Sequence, residues 1–471
     1  MLRALAALAL TALAATHAPA ARAQVTDFTL QNGLQVVVIE DHRAPAAVHM
    51  IWYRAGAAEE EQGASGVAHY LEHLLFKATE TMEAGEFSRF VSPNGGSDNA
   101  FTSYDYTAYF QRVSADLLSD VMRMEADRMT NLNIRQEDIL VERDVVIEER
   151  AQRTDSDPGA LLGEQRQAAM YLNHPYGRPV IGWRHEMVDM SLEDVLAFYE
   201  AHYAPNNAVV VVAGDVTPEE VRALAETHYG PIPANPDIAV RERPQEPPQT
   251  AERRLAMEDP RVGQPYLVRS YLVPERDAGD QEEAAVLTML AQVLGGSPTT
   301  SVLGRRMQVE TGEAVWTSAS YRGVSYDDTT FGLVVVPSEG VSLEEAEAAL
   351  DRELAAFAEG EVDEGQLERL KFQIRASEIY EEDAPQGRAR KYGAALTSGL
   401  TLADVEAWPA LLDAVTGDEI VEAAQRLLDR RASVTSYLRP PAAGDAASPE
   451  AAPAPAAEEV PMDAAPLEED A

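Results

Sequence analysis

The chain is 471 residues long, with 79 acidic and 38 basic residues, a formal net charge of −41, 45% hydrophobic residues and no cysteine. Such acidity argues against nucleic-acid binding, which needs a basic footprint, and the missing thiols exclude a disulfide framework or thiolate metal ligands. The length exceeds one ordinary core and predicts two domains with room for additional segments.

Residues 1–23 read as a secretory signal. Arg3 gives a positive start, residues 4–15 form an apolar run too short to span a bilayer, and Ala21-Arg22-Ala23 is a small-x-small site with cleavage after Ala23. The mature protein is therefore expected in a bacterial periplasm, without a membrane span. Residues 26–39 predict a hairpin around the Asn32-Gly33 turn, and 48–53 a further strand. A helix is expected from Gly66 to Phe76. Residues 97–112 suit a strand pair after the turn Pro93-Asn94-Gly95-Gly96. Helices follow at 116–129 and 135–152, then at Leu192–His202 behind the capping Ser191, and at Pro218–His228; residues 208–213 form a valine strand between the last two.

Residues 231–254 are rich in proline and charge and read as a linker between a first domain, 24–230, and a second, 255–438. Beyond it strands are expected at Tyr266–Val273, Ala314–Tyr321 and 331–336, with helices at 281–294, 343–359 and 363–379. Helix 417–429 followed by strand 432–438 echoes the earlier helix and valine strand, a weak internal repeat of an α+β unit. Residues 439–471 are alanine, proline and acid and read as a disordered tail.

The chemistry concentrates in Gly66-Val67-Ala68-His69-Tyr70-Leu71-Glu72-His73-Leu74-Leu75-Phe76. On a helix, His69 and His73 leave one face a turn apart, Glu72 projects from that face too, and Leu71, Leu74 and Leu75 lie largely behind. Two imidazoles and a carboxylate are what a zinc-bound water needs: nitrogen ligands and a base. A five-residue match also fits an ordinary polar face, so a third ligand has to come from elsewhere. All nine histidines precede the linker, which puts any histidine site in the first domain. A carboxylate is the expected third ligand. The acidic helix at 137–152 offers Glu142, Glu148 and Glu149, of which Glu142 and Glu149 share a face. One would hold the metal while another orients a ligand or the water. Such donors accept other ions, so they do not by themselves fix zinc.

His69-x-x-Glu72-His73 is the inverted zinc motif, and the stretch resembles the pitrilysin-type metallopeptidases, the family of insulin-degrading enzyme and mitochondrial processing peptidase. Glu142-Arg143-Asp144-Val145-Val146-Ile147-Glu148-Glu149 is similar to that family's third-ligand helix, and Gly95-Gly96-Ser97-Asp98-Asn99-Ala100-Phe101-Thr102 to its substrate-pairing strand. His174-Pro175-Tyr176-Gly177, with His174 read as a structural loop residue, and Tyr203-Ala204-Pro205-Asn206-Asn207 match further landmarks. The resemblance covers about residues 25–438 and is strongest before the linker.

It implies an α+β fold of two similar domains, each a largely antiparallel sheet packed by helices, together half of a clamshell chamber. It implies one Zn2+ per chain held by His69, His73 and Glu149, with Glu148 pointing away, Glu72 as catalytic base and Glu142 as auxiliary carboxylate. Asn99, Ala100 and Phe101 would hold a peptide as an added β-strand, giving broad specificity. The implied activity is zinc-dependent endopeptidase action on extended peptides or unfolded segments, Glu72 moving the proton from a zinc-activated water to the leaving amine. In the family the half without zinc supplies an arginine and a tyrosine near the substrate. Residues 300–315 resemble that segment, but the tyrosine position falls at Val315, and Tyr321 reads as the next landmark on the strand. A homo- or heterodimer with a second family chain is therefore expected, a zinc-less partner being favoured. The alternative is a non-catalytic scaffold or peptide-binding subunit, against which stands the presence of His69, Glu72, His73 and Glu149 together.

Overall fold

The computed structural model describes residues 25–381 and 384–441, so the expected signal sequence and residues 442–471 of the expected tail lie outside the described residues. Two mixed sheets organise the chain. The first contains β1 (Val25–Thr29), β2 (Gln35–Glu40), β3 (Ala46–Tyr53), β4 (Ser97–Thr102), β5 (Thr107–Ser114) and β6 (Ala208–Gly214), in the order β1-β2-β6-β3-β5-β4. The second contains β7 (Arg253–Glu258), β8 (Tyr266–Val273), β9 (Ala314–Tyr321), β10 (Thr329–Pro337) and β11 (Ser433–Arg439), in the order β7-β11-β8-β10-β9.

Leaving β1 aside, the two sheets share one topology. First and last strands pair in parallel, β2 with β6 and β7 with β11, and every other neighbouring pair is antiparallel. The repeat sensed in the sequence is thus a repeat of strand order. The unbroken valines of β6 follow from its place between β2 and β3, where both faces are buried.

The first half adds α1 (Val67–Leu74), α2 (Glu86–Val91), α3 (Leu118–Thr130), α4 (Gln136–Arg150), α5 (Pro158–Met170), α6 (Arg184–Asp189), α7 (Leu192–His202) and α8 (Pro218–His228). The second adds α9 (Glu282–Gly295), α10 (Leu343–Ala358), α11 (Glu364–Glu381), α12 (Pro385–Thr397), α13 (Leu402–Ala414) and α14 (Gly417–Leu427). Reciprocal capping boxes at Ser191, Thr217, Ser342 and Thr416 set the starts of α7, α8, α10 and α14, which is why those boundaries could be read from sequence.

One face of the first sheet packs on α1, α3, α7 and α8 through residues such as Leu71, Met122, Phe198 and Val221. Its other face is covered by α12 from the far half of the chain. Ala389, Tyr392, Ala395 and Leu396 meet Val37, Met50, Trp52 and Val211, and Gly393 lies flat on the Trp52 indole. In return α5, from the first half, lies against β11 of the second sheet, where Met170 and Tyr171 pack with Val434 and Arg253 donates to the carbonyl of Ala169. Each half thus lends a helix to the other's sheet.

The segment between α8 and β7 contains no helix or strand, and β7 begins at Arg253, so the last two residues of the expected linker belong to the strand. It is nonetheless pinned. Arg243 donates to Asp105 and Asp327, both at 2.7 Å, and to Glu59, while Arg241 donates to the carbonyls of Thr397 and Asp105. These bonds tie the linker to the β4–β5 turn, to the loop before β10 and to the end of α12.

Candidate metal centre

The helix α1 is held in place from both ends. Gly66 precedes it at φ 90°, a left-handed conformation, and a Cβ there would lie 2.6 Å from the carbonyl oxygen of Ile181, so only glycine fits. The buried Glu60 accepts from the backbone N–H groups of Gly66 and Ala68 at 2.9 and 3.0 Å, satisfying donors that a helix start leaves open. Burial raises the pKa of Glu60 to about 8 despite those bonds. Val67, Leu71 and Leu74 seat the helix in the core, and the Tyr70 hydroxyl donates to the carbonyl of Ile139 on α4. The opposite face carries His69, Glu72 and His73.

The facing helix α4 brings its carboxylates to that surface. Oε2 of Glu149 lies 3.5 Å from Nε2 of His69 and 3.2 Å from Nε2 of His73, and ligand atoms of the three residues all lie within 4.8 Å of one another. Glu142, seven residues earlier on α4, accepts from Nδ1 of His73 at 2.9 Å and pairs with Lys77 at 2.6 Å. An ionised carboxylate only accepts, so Nδ1 of His73 donates to Glu142, and in the metal-free protein Nε2 donates to Glu149. Glu148 is exposed, accepts from Gln152 and stands outside the converging trio.

These donors fit a zinc ion. Two imidazole nitrogens and one carboxylate oxygen are a catalytic zinc set with a position left for water. His69 supplies a second indication: its Nδ1 is buried without a hydrogen-bond partner among the described residues, and its Nε2 faces only the carboxylate at 3.5 Å. Nε2 so placed can give its lone pair to a cation, while Nδ1 keeps the ring proton. Burial, reinforced by His73, lowers the pKa of His69 to about 4. Burial also opposes charge on His73, yet the hydrogen bonds to Glu142 and Glu149 outweigh it and raise that pKa to about 9. Near neutral pH His69 is therefore a neutral imidazole and His73 an imidazolium in the metal-free protein. Their bonds to His73 hold both Glu142 and Glu149 below the usual carboxylate range, against the effect of burial.

Glu72 is 8% exposed, and burial raises its pKa to about 7, partly offset by the Thr102 hydroxyl, which donates to Oε2 at 2.5 Å. Thr102 ends β4, and β4 is the terminal strand of its sheet, so among the described residues its outer edge is unpaired. The expected peptide-binding residues Asn99, Ala100 and Phe101 lie on this strand and line, with His69, Glu72, His73 and Glu149, an open cavity of about 980 Å³. Side chains along β4 alternate: Ala100 packs on the α1 side, while Phe101 turns to Trp52 and lies under Arg390 on the α12 side. Any contribution of Phe101 to the cavity is mainly through its backbone.

The remaining expected residues lie apart from the centre. His174 accepts from the N–H of Tyr176 and pairs with Asp327 at 3.1 Å, a loop-structuring role. Val315 is 57% exposed on β9, the edge strand of the second sheet, and the hydroxyl of Tyr321 donates to the carbonyl of Pro274. Three residues at the centre escaped the sequence reading: Thr102, Lys77 and Arg153, the last pairing with Oε1 of Glu149 at 2.6 Å. For Lys77 and Arg153 a signal was available, since each lies four residues beyond a candidate ligand, His73 and Glu149.

Two family models match successive parts of the chain and meet at α6, ahead of the segment between α8 and β7. Residues 35–183 match the family model described as insulinase (peptidase family M16), and residues 189–374 match the one described as peptidase M16 inactive domain. Zinc protease PqqE of Helicobacter pylori is 30% identical over 373 residues, 78% of this chain and 82% of that protein. The solved structure of a protease from Helicobacter pylori aligns with a TM-score of 0.82 at 27% identity, over 89% of this chain and 100% of that one. The periplasmic protease PqqL from Escherichia coli shares the fold, with a TM-score of 0.76 at 20% identity, and the match spans 88% of this chain but 47% of that longer one.

Proposed function

The chain belongs to peptidase family M16, the insulinase family, and we propose that it is a zinc-dependent endopeptidase acting on extended peptides or unfolded segments. The observation that carries this reading is the convergence of His69, His73 and Glu149, with Glu72 beside them and an unpaired strand edge along the same cavity. Zinc held by the trio supplies Lewis acidity, bringing the pKa of a coordinated water toward neutrality and polarising the scissile carbonyl. Glu72, aimed by Thr102, accepts the proton of the attacking water and returns it to the leaving amine. A carboxylate that titrates near pH 7 suits both duties. Glu142 fixes the tautomer of His73. The outer edge of β4 receives the substrate by main-chain hydrogen bonds, which read extended shape more than side-chain identity.

We read the working unit as a pair. What supports this is the position at Val315, where the family places a tyrosine, together with a second half whose described residues hold no cluster of metal ligands. The leader-like pattern of residues 1–23 supports export to a periplasm, and no described helix is long and apolar enough to cross a membrane.

The test is metal analysis with a peptide-cleavage assay on the full chain. Glu72→Gln should keep zinc and abolish turnover; retained hydrolysis would remove Glu72 as base. Glu149→Gln should lose zinc; unchanged stoichiometry would move the ligand role to another carboxylate. Activity that appears only with a second family chain supports the heteromeric pair, and a fully active homodimer rules it out.

A further inference from the structure

The candidate ligands are the middle of a longer row of charges. His69, His73 and Lys77 recur every four residues along α1 and its exit, while Glu142, Glu149 and Arg153 face them from α4 and the π-helical turn Ala151–Asp155 that continues it. The rows interlock in sequence. Arg153 lies 2.6 Å from Oε1 of Glu149, whose Oε2 faces the Nε2 atoms of His69 and His73. Nδ1 of His73 lies 2.9 Å from Oε1 of Glu142, whose Oε2 lies 2.6 Å from Lys77. Both carboxylates are therefore divided, one oxygen turned to an imidazole and the other held by a cation.

Stability gives little account of the Arg153 pair. The Arg153 side chain is 75% exposed, and exposed pairs four residues apart on a helix contribute only about 0.3–0.5 kcal/mol. Lys77 is one of three lysines among the 38 basic residues of the chain, and its ammonium is a compact point charge where a guanidinium would present a fork.

We propose that Lys77 and Arg153 are positioning residues of the metal centre, clamping the outer oxygens of Glu142 and Glu149 so that each carboxylate offers one oxygen inward. The proposal rests on the reading of His69, His73 and Glu149 as zinc ligands. With Oε2 of Glu142 occupied, Oε1 is left to accept from Nδ1 of His73 and to keep that ring oriented. With Oε1 of Glu149 occupied, the carboxylate cannot turn both oxygens to the ion and fill the position that water needs.

The test compares the full chain with its Lys77→Met, Lys77→Arg, Arg153→Met and Arg153→Lys variants, loaded with zinc or with cobalt. Zinc release to a chromogenic chelator should quicken about 10–100-fold in Lys77→Met, with Lys77→Arg recovering much of the loss. Visible absorbance of the cobalt protein should fall in Arg153→Met, as a second carboxylate oxygen raises the coordination number, and should persist in Arg153→Lys. Circular dichroism and thermal midpoints of the metal-free proteins verify folding, and Lys77→Gln replaces Lys77→Met if the latter does not fold. Release rates and cobalt spectra equal to those of the unaltered protein in both neutral variants overturn the proposal. If the unaltered protein takes up neither metal, or Glu149→Gln takes up both equally well, the ligand assignment fails and the proposal falls with it.

Discussion

The hydroxyl of Thr102 donates to Oε2 of Glu72 at 2.5 Å, so the edge strand β4 and the carboxylate proposed as the base are joined by one hydrogen bond. Thr102→Val keeps the shape and removes the donor. Hydrogen bonds to charged groups contribute about 1.5–3 kcal/mol, and loss of the lower figure from the transition state slows turnover about tenfold. Thr102→Val is therefore expected to lower kcat by about that factor with zinc content unchanged, while Thr102→Ser stays near the unaltered rate. Steady-state kinetics on a peptide decides; an unchanged kcat in the valine variant would show that metal and burial alone aim Glu72.

Metal uptake should release a proton from His73. In the metal-free protein its pKa of about 9 leaves it protonated at pH 8, whereas His69, with a pKa of about 4, is already neutral and Glu72, at about 7, is mostly ionised. A ligand nitrogen must be deprotonated, so binding at pH 8 should release about one proton per metal. The sign is fixed by the raised pKa: protons compete below about 9, so apparent affinity climbs with pH and levels off above it. Calorimetry in two buffers of different ionisation enthalpy measures the number. A value near zero would mean that His73 is neutral before the metal arrives.

Much of this site was legible because it is local. His69, Glu72 and His73 lie within one helical turn, and their spacing alone places three polar groups on one face of α1. Spacing narrowed the third ligand to Glu142, Glu148 and Glu149, but only the family resemblance singled out Glu149. What escaped depends on distant chain returning to the site. Thr102 matters because β4 folds back beside α1, and Arg241 and Arg243, within the stretch read only as a linker, find Asp105, Glu59 and Asp327 through the fold. The helix α12 was missed for a related reason. Pro385, Gly387 and Gly393 dilute its helical pattern, and its buried face is defined by Trp52 in the other half of the chain.

The contact of Gly393 with Trp52 makes the exchange of helices testable. A Cβ on Gly393 would lie 2.0 Å from Cε2 of an indole that is 1% exposed and cannot move aside. Overpacking of this kind costs about 1–3 kcal/mol, against a gain of about 1 kcal/mol in helix propensity from glycine to alanine. Gly393→Ala should thus lower the urea midpoint, and Gly393→Val should lower it further. Gly163 in α5, where a Cβ would meet nothing within 4 Å, is the control, and Gly163→Ala should raise the midpoint slightly. Equal effects at the two sites would mean that α12 does not dock on Trp52.

Three acidic side chains, Glu59, Asp105 and Asp327, converge on Arg243, whose side chain is 5% exposed. Burial already holds Glu59 above the usual carboxylate range despite Arg241 and Arg243. Arg243→Met leaves these carboxylates facing one another without the guanidinium, and breaking a buried pair from one side costs about 3–5 kcal/mol. The cost should depend on pH. Without Arg243 the folded-state pKa of Glu59, already raised by burial, rises further above its unfolded value, so the folded state binds a proton more readily and loses stability as pH increases. Urea midpoints of the variant and the unaltered chain should therefore differ more at pH 8 than at pH 5. Because Asp105 lies in the β4–β5 turn, the variant should also bind peptide less tightly, as a raised KM. A variant with an unaltered midpoint at pH 8 would show that the linker only spans the two halves and does not fasten them.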